Sequence, residues 1–101
     1  MGMTLIAIRP TMKAPPQLSK GEPALSYNWS DWAQLKAWLK SWGVDTHRLV
    51  DTNDGERIPA KLAGEIADAL ESHLLELEKE ERTWLRPHIR IWRNGGGFRQ
   101  R

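Results

Sequence analysis

Residues 59–81 place Leu62, Ile66, Leu70, Leu74 and Leu77 three or four positions apart, which lines up one side of an α-helix. A stripe of that length has to be buried, so the chain must supply a second apolar surface. It does so at Trp32, Leu35, Leu39 and Trp42, again at helical spacing. Trp38 borders that face. Ser30 is a good N-cap, Asp31 suits the positive end of a helix dipole, and Gly43 provides a stop. Pro59 suits the first turn of the longer helix, where its missing N–H costs nothing. These signals predict a mainly α fold with two principal helices, about 31–42 and 59–81. Glu65, Asp68, Glu71, Glu76, Glu78, Glu80 and Glu81 fall on the outer side of the second.

The remaining elements are weaker. Residues 4–9 alternate enough for a short N-terminal β-strand that Pro10 ends. Residues 10–26 hold four prolines and Gly21, and read as a loop. Asn53-Asp54-Gly55 is a turn signal. Around Pro87, which should interrupt or kink a helix, residues 87–93 fit either a C-terminal helix or a strand paired with residues 4–9. Gly95-Gly96-Gly97 is a flexible stop, Phe98 an apolar anchor, and Arg99 to Arg101 are expected to fray. At 101 residues the chain has the size of a single domain, 1–101.

Composition narrows the function. With no cysteine there is no disulfide, thiolate metal site or cysteine nucleophile. The apolar start, Met3 to Ile8, is too short for a signal peptide, and no apolar run spans a bilayer, so a cytoplasmic protein without membrane attachment is expected. Metal and cofactor sites are not expected. His47, His73 and His88 are dispersed. An EF-hand register centred on Gly55 puts Val50 and Lys61 where carboxylates are needed. The triple glycine lacks the Lys-Ser or Lys-Thr of a phosphate-binding loop, and no serine sits in a nucleophile-elbow context. The chain therefore reads as a non-enzymatic protein, with an enzyme whose site carries no recognised motif as the last alternative.

Its net charge of +2 hides a polarity. Residues 82–101, an Arg/Trp-rich C-terminal segment, carry six arginines and no acid, so the rest of the chain is acidic. Six tryptophans exceed what a core of this size needs, and Trp is enriched at contact surfaces. Arg82, Arg86, Arg90 and Arg93 recur at helical spacing, interleaved with Trp84 and Trp92. Trp84, Arg86, Arg90, Trp92 and Arg93 are accordingly the expected partner-binding residues, with Trp29 and Trp38 as further candidates. A protein partner is expected first. Nucleic acid held by the arginine ridge is the alternative, and pairing of the ridge with the acidic helix face would leave neither. An exposed Trp stripe would also serve a homodimer.

The segment Tyr27–Phe98, with Trp32…Leu39…Gly43-Val44-Asp45-Thr46, Asn53-Asp54-Gly55, Ala67-Asp68-Ala69-Leu70-Glu71 and Gly96-Gly97-Phe98, resembles a loosely defined group of small bacterial proteins. That resemblance implies no mechanism and no site residues. Small domains of this kind resemble phage, immunity or toxin–antitoxin products, which suggests an inhibitor or immunity-type factor.

Overall fold

The computed structural model describes residues 2–9, 24–51 and 55–100. Most of the proline-rich loop and the Asn53-Asp54 turn lie outside these. The mainly α expectation is overturned. Among the described residues, three α-helices stand beside a four-stranded antiparallel sheet, a mixed α/β fold.

Strand β1 (Gly2–Ala7) starts and ends two residues earlier than the sequence suggests. It pairs on one side with β2 (Ala24–Asn28), with Met3 opposite Tyr27 and Leu5 opposite Leu25. Residues 24–26, expected in the loop, are therefore strand. Helix α1 (Trp29–Ser41) begins before the predicted Ser30 cap, because Asn28 caps it: its Oδ1 accepts from the Asp31 amide at 2.7 Å. The helix ends as expected. Gly43 takes φ +82°, and the Val44 and Gly43 amides reach back to the Leu39 and Lys40 carbonyls.

Strand β3 (Arg57–Ile58) leads into α2 (Ala60–Ser72). The predicted helix 59–81 stops at Ser72. A 3₁₀ turn at Leu74–Glu76 follows, and a new helix, α3 (Lys79–Asn94), begins. Periodicity alone missed the break, because Leu74 and Leu77 continue the stripe while covering the corner. The competing signal is a capping box: the Glu78 side chain accepts from the Glu81 backbone, and Glu81 accepts from the Glu78 amide at 3.1 Å. The open choice at 87–93 resolves as helix, but one that starts eight residues before Pro87 and runs through it.

After α3 the chain turns sharply into β4 (Phe98–Gln100), which pairs with β1 and β3 and so occupies the interior of the sheet order β2-β1-β4-β3. Arg99 and Gln100, expected to fray, thus lie in an inner strand, and Arg101 lies outside the described residues. Glycine is needed for the turn. Gly96 and Gly97 sit at φ +69° and +95°, and a Cβ on Gly96 would come within 2.4 Å of the Arg9 carbonyl oxygen.

One face of the sheet presents Met3, Leu5, Leu25, Tyr27, Ile58 and Phe98 to the helices. Against it pack Trp32, Leu35 and Leu39 from α1, Ile66 and Leu70 from α2, and Leu85, Ile91 and Trp92 from α3. The two apolar stripes therefore share a core, with the sheet as its floor. Gln100 is buried there without orphaned groups. Its Oε1 accepts from the Val50 amide (3.0 Å) and its Nε2 donates to the Arg48 (2.7 Å) and Glu56 (3.2 Å) carbonyls. One side chain thus ties the segment 48–56 to the sheet, with Trp32 Nε1 adding a bond to the Val50 carbonyl at 2.9 Å.

Candidate interaction surface on the flanks of helix α3

At about 100° per residue, Arg82, Arg86, Arg90 and Arg93 form one stripe on α3, whereas Trp84 points to nearly the opposite side. The residues predicted as one surface are therefore split among three environments.

Trp92 lies in the core, with no exposed surface. Its Nε1 donates to the Tyr27 hydroxyl at 3.1 Å, and its ring meets Phe98 edge-on at 5.1 Å. It cannot touch a partner in this fold, so its expected role in binding is corrected to a structural one. Sequence alone could not separate a Trp on the buried side of α3 from one on its rim, since both interleave with arginines.

The arginine stripe is partly consumed. Arg93 donates to Asp68 Oδ1 (2.7 Å) and Glu71 Oε2 (2.6 Å) on α2. The hydrogen bond to Asp68, with that to Glu71, raises its pKa further above the ordinary guanidinium value despite slight desolvation. Arg82 donates to the Leu77 carbonyl at 2.7 Å, closing the corner between α2 and α3. Among the described residues, Arg86 and Arg90 form no ion pair. They border a groove of about 270 Å³ with Leu74, Ile89, Arg93 and Glu71.

On the other flank Trp84 borders a groove of about 310 Å³ with Asp31, Gln34, Trp38, Glu80 and Glu81. One wall runs along α1 from Asp31 to Trp38, and the other is the first two turns of α3. Among the described residues, every titratable group lining it is a carboxylate. The two helix N-termini offset roughly one unit of that charge, which leaves the groove negative. Trp38 and Trp84 are each half-buried and line it. Trp38 continues into a surface stack, 6.3 Å from Trp42, whose ring lies 4.5 Å from and nearly parallel to His73. Trp29 is exposed at the start of α1. Asp31, Gln34, Glu80 and Glu81 were not among the expected site residues. Their signal was present, as acids in the first turns of two helices, but that pattern is explained equally by capping, and only the packing of α1 beside α3 brings them together.

Behind Trp84 lies a buried polar cluster. His88 Nδ1 is 2.9 Å from the Tyr27 hydroxyl, and the Trp84 ring is 4.7 Å from the imidazole. Because Tyr27 already accepts from Trp92, its own proton is best placed on the bond to Nδ1, which leaves Nε2–H as the one buried side-chain donor without a partner among the described residues. Burial pushes His88 down to about 4 and the Tyr27 hydroxyl above its ordinary range, so both are neutral near pH 7.

Among the described residues no cluster of His, Asp and Glu is arranged to hold a metal ion, and no helix is long and apolar enough to cross a membrane. No protein-family model matches the chain, and no curated protein or solved structure matches it either.

Proposed function

We propose that this protein is a non-enzymatic protein-binding module, of the inhibitor or immunity type, whose contact surface is the groove between α1 and the start of α3 and whose partner presents a basic segment there. The observation that carries this reading is the pairing of two half-buried indoles, Trp38 and Trp84, with carboxylates as the only titratable groups of the groove among the described residues. Ammonium and guanidinium groups are drawn to indole faces and to carboxylates alike. Trp is also the residue type whose truncation most often costs an interface the most.

A titration of the protein with a lysine- and arginine-rich peptide, followed by tryptophan fluorescence, tests it. Trp84→Ala should weaken binding by roughly thirtyfold, the loss expected of a hot-spot residue. Glu80→Lys should do the same through charge, and an acidic peptide of equal length should not compete. Equal affinity of the wild type for basic and acidic peptides would sink this reading.

Nucleic acid on the arginine stripe is the second reading, favoured by the two unpaired guanidiniums of Arg86 and Arg90. The neutralisation of Arg93 by Asp68 and Glu71 counts against it, since it places two acids beside the groove that a phosphate backbone would enter.

A further inference from the structure

The face of the sheet turned away from the helices carries the alternate residues of each strand: Thr4 and Ile6 of β1, Ser26 of β2, Arg57 of β3 and Arg99 of β4. Arg57 and Arg99 are direct cross-strand partners. Residues so opposed have Cβ atoms about 4.5–5.5 Å apart, and like charges there destabilise the pair. Neither guanidinium forms an ion pair among the described residues. The one carboxylate adjacent in sequence, Glu56, accepts from the Arg57 backbone amide instead. Beside Arg99, a hollow of about 270 Å³ opens between Ile6, Ala7 and Ile8. Ile8 is one of the few large apolar side chains left exposed.

We propose that Arg57 and Arg99 together bind a phosphate group on the outer face of the sheet, with the Ile6–Ile8 hollow receiving the organic part of the molecule that carries it. A phosphate placed between two guanidiniums turns their mutual repulsion into two attractions, and each planar fork can donate two parallel hydrogen bonds to its oxygens. The strands fix the backbone spacing of the two arginines before any ligand arrives, so only the two side chains remain to be ordered. The apolar walls explain why the site is more than a charge pair: a sugar or base has a surface to rest on. This site is independent of the acidic groove, which lies on the helical side of the molecule.

The full chain should be titrated at low salt with inorganic pyrophosphate and, separately, with a single-stranded oligothymidylate, by calorimetry. Saturable binding of either is expected. Arg57→Gln and Arg99→Gln should each weaken it by about tenfold or more, while Lys40→Gln, an equal charge change at the exposed end of α1, leaves it unaltered. Pyrophosphate binding alone assigns a small phosphorylated molecule. Oligothymidylate binding that falls with salt at a slope of about −0.7 per neutralised phosphate assigns a nucleic-acid strand. Without ligand, each Gln variant should melt roughly 1–3 °C higher than the wild type at low salt, because the repulsion is gone. The proposal is overturned if neither probe binds, if binding ignores both substitutions, or if both variants melt lower, which would mean that the two arginines are held by the fold itself.

Discussion

His88 shows how one residue sets a property of the whole chain. It is 2% exposed, and its pKa falls from 6.5 to about 4 through burial. The folded state therefore binds fewer protons than the unfolded chain between these two values, and stability must decline as the pH is lowered across that window. The full effect is about 3 kcal/mol, of which roughly 2 kcal/mol is lost between pH 7 and pH 5. Urea denaturation at the two pH values measures it. His88→Phe should remove most of that difference while lowering stability at pH 7, since Tyr27 loses its acceptor. An unchanged pH dependence would mean that His88 is charged, or solvated, in the native protein. Sequence reading noted His88 only as one of three dispersed histidines, on a segment that fitted helix or strand, and gave no reason to place it in the core. Its partner Tyr27 sits on a strand hidden at the end of the proline-rich stretch. The opposite failure occurs at Trp92, whose composition suggested surface and whose contacts make it core.

At the level of elements, capping and stop signals proved more informative than periodicity. Gly43 ends α1 where expected, and Asn28 and Ser30 are equally good cap types, so the error at its start is small. The break after Ser72 was readable only by weighing the Glu78…Glu81 capping box above an unbroken leucine stripe. Pro87 is the element-scale surprise. It lies in the middle of α3, where its ring denies the Thr83 carbonyl a donor and crowds the preceding turn at a cost of about 3 kcal/mol. The helix survives because Leu85, His88, Ile89, Ile91 and Trp92 around it are buried. Pro87→Ala should therefore raise stability by about 1–3 kcal/mol, read as a higher denaturation midpoint with an unchanged slope. A loss of stability would mean that the proline ring contributes packing the alanine cannot replace.

The whole molecule was the least legible scale. Helix α1, helix α2 and most of their core residues follow from pattern, because each has enough turns to display one, whereas α3 was hidden by the unbroken leucine stripe before it and by Pro87 within it. β3 and β4 have two and three residues, too few to show alternation, and they exist because β1 supplies a template and the helices a cover. The candidate groove was illegible for the same reason, since Trp38 and Glu80 meet only through tertiary packing. The inner position of β4 yields a prediction at this scale. A chain shortened to end at Gly97 loses Phe98 from the core and the Gln100 clamp, and separates β3 from β1. It should lack the near-ultraviolet circular dichroism of packed tryptophans while keeping much of its helical signal. A native near-ultraviolet spectrum would show that the β1–β2 hairpin and the helices suffice.

The pairing of Leu5 with Gln100 also governs when folding can happen. Local contacts, such as the turns of α1 and the corner between α2 and α3, can form within microseconds, but the register between β1 and β4 joins segments separated by nearly all of this sequence. Closing so long a loop is costly before its contacts repay it. During synthesis, β1 leaves the ribosome early and must wait with one edge unpaired until β4 follows. The interval is a window for misassociation, and it reopens whenever the folded molecule unfolds globally.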